Sequence, residues 1–181
     1  MDVRPLRLTG LRLIRPAVYS DHRGFFVETY QRDRYVTAGI DVAFVQDNHA
    51  RSSKNTLRGL HYQASPGQAK LIRVSLGRIL DVVVDIRPDS LTFGEWESVE
   101  LDSESKVQLF VPVGFAHGYC VLSDFAEVEY KVSSNYDASR VMSIRWNDPD
   151  IGVEWPLTAP VLSRRDLGAE SFASYRKRVG R

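Results

Sequence analysis

Residues 56–63 read Thr-Leu-Arg-Gly-Leu-His-Tyr-Gln, which places Arg58 and His61 around a glycine with apolar Leu57 and Leu60 beside them. A histidine takes or gives a proton near neutral pH, and an arginine grips an anion through its planar fork. Turn residues at Lys54-Asn55 and Ser65-Pro66-Gly67 bound the stretch, so it reads as a strand. On a regular strand Arg58 and His61 fall on opposite faces. Gly59 between them is a natural site for a bulge or close backbone approach, and a bulge would turn both side chains toward one cavity. The alternative is a surface arginine and a core histidine with its polar atoms satisfied.

His117 raises a metal question, because it ends Pro-Val-Gly-Phe-Ala-His (112–117), which matches the Pro-x-Gly-x-x-His part of the second cupin motif. Many cupins hold a metal with a His-x-His pair, a carboxylate and a later histidine. Here the residue two after His61 is Gln63, and His22 and His49 sit in unrelated segments. A nitrogen-rich site with an open position would have to be assembled from separate strands, so no metal is expected.

The elements that must position these groups follow from the whole chain. Its 181 residues suit one domain, 1–181, large enough to bury a core without disulfides. A balance of 24 basic against 23 acidic residues offers no broad field for nucleic acid or a membrane surface. The single Cys120, in the apolar run HGYCVL, cannot form an internal disulfide and reads as a buried thiol in a reducing compartment. With no apolar leader and no run of roughly 20 apolar residues, the chain is expected to be cytoplasmic. Short runs between turn signals, namely LRLIRPAVY, GFFVETY, AFVQDNH, TLRGLHYQ, AKLIRVSL, RILDVVVDIR, WESVEL, VQLFVP, HGYCVL, AEVEYKV and MSIRW, predict an all-β sandwich or barrel. The helix candidates are RDRYVTAGI, ending near Gly39, and the C-terminal FASYRKRV.

Alternation then sorts side chains by face. Gln46 goes with Asn48, and Lys70 with Ile72 and Val74. Ala126, Val128, Tyr130 and Val132 share one face, so Tyr130 points inward and Glu129 outward. Asp81 and Asp85 flank Val83, opposite Leu80, Val82, Val84 and Ile86. A carboxylate on so apolar a strand needs a partner.

The stretches DHRGFFVETY (21–30), FVQDNHARS (44–52), LRGLHYQ (57–63), QAKLIRVSLGRILDVVVDIR (68–87), VPVGFAHGYCVLSD (111–124), EYK (129–131) and IRWNDPDIGVEWP (144–156) together resemble the dTDP-4-dehydrorhamnose 3,5-epimerase family. The resemblance implies a cupin-type jelly roll with short peripheral helices and a homodimer. It also implies that no cofactor is used and that the small-molecule partner is a dTDP-4-keto-6-deoxyhexose, epimerised at C3 and C5 beside its C4 ketone. His61 would be the base and Tyr130 the opposing acid. Lys70 would be the cation near the C4 oxygen, and Asp166 the carboxylate that fixes the histidine. Asp81 is a second candidate, either a partner of Lys70 or His61 or a structural ion pair.

For binding, the resemblance implies Arg58 at the pyrophosphate and Gln46, Asp47 and Asn48 at the nucleotide and phosphates. His117 would sit in the substrate site and Tyr136 would stack on the sugar. Arg23 and Glu28 would arrive from a partner subunit, with Phe26 either on the base or in the core. Two positions depart from the family pattern: Val141 stands where a glutamate is usual, and Arg165 where a lysine is usual. A relative inverting one centre, or a nucleotide-sugar-binding cupin without turnover, remains open on the same motifs.

Overall fold

The computed structural model describes residues Met1–Arg181. In chain order its first strands are β1 (Asp2–Pro5), β2 (Arg12–Arg15), β3 (Val18–Asp21), β4 (Gly24–Val27), β5 (Gln46–Ser53), β6 (Leu57–Gln63) and β7 (Lys70–Leu76). They continue as β8 (Arg78–Asp85), β9 (Trp96–Asp102), β10 (Gln108–Val111), β11 (Phe115–Val121), β12 (Phe125–Val132) and β13 (Val141–Ser143). Three short helices accompany them: α1 (Arg32–Thr37), α2 (Arg164–Leu167) and α3 (Phe172–Arg178).

One antiparallel sheet runs β1-β2-β10-β7-β12-β5, a second runs β13-β6-β11-β8-β9, and β3 with β4 forms a separate hairpin. From β5 onward, apart from the β8–β9 hairpin, the chain passes back and forth between the two larger sheets, the pattern of a jelly-roll sandwich. Ile72, Val74, Leu109 and Val128 of the first sheet meet Ile79, Val83, Phe115 and Tyr119 of the second to form the central core. The second sheet turns Leu60, Val82, Val84 and Ala116 outward against Ile144, Phe172 and Tyr175, so α3 covers that face. Ile14, Leu71 and Phe110 on the outer side of the first sheet pack against Tyr35 of α1.

Period-two alternation therefore sorts β8 as expected, with Val83 in the central core and Val82 and Val84 in the covered outer face. Its two acids are both buried and both partnered. Asp85 accepts from Arg87 and from the hydroxyls of Ser90 and Thr92. Although burial raises its pKa, those hydrogen bonds win and hold it at about 2. Cys120 is fully buried, and that burial pushes its thiol up to about 11.

Several boundaries differ from the sequence reading. The run LRLIRPAVY divides at Arg15-Pro16 into β2 and β3, because proline removes a ladder donor. β1 was not predicted: it is a four-residue edge strand with one large aliphatic, Val3, and it ends in a proline that only an edge tolerates. α2 was not predicted either, since four residues are too few to show a helical period.

Candidate active site

Of the two readings open at Gly59, the bulge is the one present. In the β6–β11 ladder His61 pairs with His117 and Arg58 with Tyr119, so β6 advances one residue more than β11 between the two pairs. Gly59 has φ +138°, and a Cβ there would lie 2.5 Å from the Gly118 Cα. A Cβ on Gly118 would in turn lie 2.8 Å from the Arg58 carbonyl oxygen. Only two facing glycines let the backbones approach so closely, and the added residue brings Arg58 and His61 to one cavity.

That cavity, of about 240 Å³, opens between the two sheets. Arg58, His61, His117 and Tyr119 reach it from the β6–β11 side, while Asn48, Lys70 and Tyr130 reach it from the β5–β7–β12 side. Tyr136, Val141 and Arg165 line its mouth, with an Arg165 Nη2 donating to the Tyr136 hydroxyl at 3.3 Å. A proton acceptor and a phenol thus project from opposite layers.

His61 and Asp166 form a dyad, with the ring Nε2 2.5 Å from Asp166 Oδ1. Burial alone would raise the Asp166 pKa, but hydrogen bonds from His61 and Ser163 outweigh it and the net shift is downward. An ionised Asp166 can only accept, so Nε2 carries a proton, and in the neutral ring Nδ1 keeps its lone pair. Ser163 caps α2 reciprocally: its hydroxyl donates to Asp166 Oδ2 at 2.7 Å and accepts from the Asp166 N–H at 3.2 Å. Ser-x-x-Asp is the sequence signal that marks this helix start.

Asp81 is fully buried, and His117 Nε2 donates to its Oδ2 at 2.8 Å, so its hydrogen-bond partner is His117 rather than Lys70 or His61. The reason is strand order, because β8 adjoins β11, where Asp81 pairs with Tyr119 and reaches His117 two residues along on the same face, while His61 stands one strand further on. Burial raises the Asp81 pKa against the pull of His117 and Lys70. Lys70 is itself buried, which lowers its pKa to about 8, with Asp81 acting the other way. Tyr130 is pushed upward by burial and by Tyr119, against Arg58, and so keeps its proton.

Other predicted residues lie elsewhere. Asp47 projects from the opposite face of β5 to Asn48 and pairs with Lys131 at 2.8 Å, a correction that alternation forces on a run read as one motif. Gln46 acts at one remove, donating to Asn48 Oδ1 at 2.8 Å and accepting from the Tyr136 N–H at 2.9 Å. Arg23, Phe26 and Glu28 do not line the cavity. Arg23 is bound to Asp21, Glu28 to Arg34, and Phe26 is 67% exposed on the hairpin. Sequence reasoning missed the cavity residues Tyr62, Gln68 and Tyr119, and took Gln63 only as a missing metal ligand; the positions of Gln63 and Tyr119, two along from His61 and His117, were the available signal.

A larger cavity, about 320 Å³, lies across the same sheet, but its charges are paired among themselves as Arg73–Glu129 and Lys131–Asp47. No three His, Cys, Asp or Glu side chains converge in a metal-binding group. No helix is long and apolar enough to cross a membrane.

The family model of dTDP-4-dehydrorhamnose 3,5-epimerase matches residues 5–174. A dTDP-4-dehydrorhamnose 3,5-epimerase of Neisseria gonorrhoeae is 48% identical over 179 residues, covering 98% of this chain; the chain spans only 54% of that relative's length. One from Shigella flexneri is 45% identical over 174 residues, covering 95% of this chain and 96% of the relative. Among solved structures, a dTDP-6-deoxy-D-glucose-3,5-epimerase from Legionella pneumophila in complex with dTDP-4-keto-L-rhamnose superposes with a TM-score of 0.92 at 44% identity, covering 95% of this chain and 93% of that one.

Proposed function

Because the chain belongs to the dTDP-4-dehydrorhamnose 3,5-epimerase family, we propose that it converts dTDP-4-keto-6-deoxy-D-glucose to dTDP-4-keto-L-rhamnose by inverting C3 and C5. The observation that carries this reading is the opposition of His61, on β6, to Tyr130 and Lys70, on β12 and β7, across one cavity. Inversion beside a ketone needs a base on one face of the ring, a donor on the other and positive charge at the developing enolate oxygen.

In this reading the His61 Nδ1 takes the C–H proton, and the electron pair moves onto the C4 oxygen. Lys70 lowers the energy of that enolate, since fixed charge in a dry site favours it over the neutral ketone. Tyr130 then delivers a proton to the carbon from the other side; the phenolate is reprotonated from solvent and His61 releases its proton to solvent, so both are reset for the second centre. Such acid–base assistance is typically worth about 10²–10⁴-fold. Only protons move, so the chemistry itself calls for no redox group. Asn48, Arg58, His117, Tyr136 and Arg165 would hold the nucleotide diphosphate and sugar, with Gln46 supporting them.

We also propose that the chain acts as a single domain in the cytoplasm and as a homodimer. The exposed β3–β4 hairpin would then offer Arg23, Phe26 and Glu28 to a second copy. Proton NMR of the purified protein with the keto sugar in D₂O tests the function. Deuterium at H3 and H5, with the L-rhamno product trapped by a stereospecific ketoreductase, is the expected result. Exchange and inversion at one centre would assign a monofunctional epimerase, and bound dTDP with no exchange would assign a binding protein.

A further inference from the structure

Residues 133–140 join β12 to β13 and carry Tyr136 over the cavity mouth, where its side chain is 54% exposed. So exposed a ring is poorly held by packing alone. Gln46 and Arg165 meet Tyr136 itself, and two further glutamine amides fix the stretch of loop that leads to it. Gln63, only 9% exposed, donates through Nε2 to Ser134 Oγ at 3.0 Å and to the Asn135 carbonyl at 3.4 Å. Gln68 donates to the Ser134 carbonyl at 2.8 Å and to Gln63 Oε1 at 3.4 Å. The Ser134 hydroxyl closes the cluster by donating to the Gly67 carbonyl at 2.9 Å.

Gln63 also has a particular address. It stands two residues after His61 on β6, and β13 pairs Ser143 with His61 and Val141 with Gln63. One strand therefore sets both the histidine and the amide that seizes the Tyr136 loop. We propose that Gln63, seated by Gln68, is a positioning residue that registers Tyr136 to His61, so that the sugar is covered in the orientation the base requires. This rests on the functional reading above. The position that completes a metal-binding His-x-His pair in other cupins has here become a loop clamp.

A double-mutant cycle tests the clamp with dTDP-6-deoxyglucose, which has no ketone and can be bound without turnover. Losing two or three neutral hydrogen bonds, Gln63→Met should weaken binding of this ligand about tenfold, while dTDP alone stays within about twofold. In a Tyr136→Ala background the same substitution should change binding by less than about twofold, because the ring it positions is gone. Gln68→Met should act in the same direction. In the ligand-free protein, amide exchange at 134–137 should quicken in Gln63→Met while the β6 amides keep their protection.

Losses that multiply independently in the double mutant, or loop exchange that does not change, would overturn the proposal. Wild-type protein that binds dTDP-6-deoxyglucose but exchanges no proton of the keto sugar would sink the functional reading alone. The binding cycle would still decide the clamp.

Discussion

His61 and His117 stand directly opposite each other across the β6–β11 ladder, and each ring Nε2 meets a carboxylate of its own, Asp166 and Asp81 respectively. The two dyads look alike but differ in what surrounds them. Asp81 shares its charge between His117 and Lys70, whereas Asp166 is held by Ser163 with no lysine beside it. The Asp81–His117 pair is thus buried and tied to the cation of the site, whereas His61 faces Tyr130 across the cavity with its own carboxylate behind it. His61→Asn should therefore remove sugar-proton exchange by about 10³-fold or more, while His117→Asn chiefly weakens binding. Equal loss of exchange in both would reject the assignment of His61 as sole base.

Asp166→Asn keeps the shape of the dyad but loses the charge that fixes the ring proton on Nε2. The turnover number should fall by about 10²–10⁴-fold, with dTDP affinity within about twofold. Stability carries a second signature, because the Asp166 pKa is depressed in the folded protein. A depressed carboxylate stabilises the fold above its ordinary value of 3.8 and loses that contribution as pH falls through the folded value. The stability gap between wild type and Asp166→Asn, read by urea melts, should therefore close on acidification. Ser163→Ala, which removes the cap and one hydrogen bond, should cost about 1 kcal/mol and show a smaller kinetic loss.

The residue pattern made the strands legible because alternation and turn residues are local signals, and Gly59 marked a place for a bulge without deciding whether one forms. Asp47 was misplaced because a contiguous motif was carried over whole, while a strand sends neighbours to opposite faces. α2 escaped because four residues show no period, although Ser163 and Asp166 carried a capping signal at the right spacing. The partners of Gln63 and the choice of His117 for Asp81 depend on which strands the fold brings together. No local pattern encodes that, and Ser134 is 71 residues from Gln63.

Gly59→Ala tests whether the bulge builds the cavity. Its Cβ would meet backbone, the Gly118 Cα at 2.5 Å, at a φ of +138° that side chains rarely adopt. Neither atom can swing aside as a side chain could. A loss of more than about 2 kcal/mol is expected, along with weakened dTDP binding as Arg58 and His61 separate. If the variant melts like wild type and binds dTDP normally, the close approach of Gly59 to Gly118 does not build the cavity.

Lys70 sets the alkaline edge of activity. Its burial lowers its pKa from 10.5 to about 8, so the ammonium that should steady the enolate is lost near pH 8. Tyr130, shifted upward, still holds its proton there and cannot produce the same limb. The pH profile of kcat should therefore fall above about 8. Lys70→Gln should flatten that limb and lower kcat by about 10²–10³-fold at neutral pH. Stability runs the other way. Between about 8 and 10.5 the unfolded chain binds the Lys70 proton and the folded protein does not, so this residue makes stability rise with pH across the window. Wild type should gain on Lys70→Gln in denaturation melts from pH 8 to 10.5 while losing activity over the same range. An alkaline limb that survives in Lys70→Gln would assign the titration to another group and remove Lys70 from the enolate.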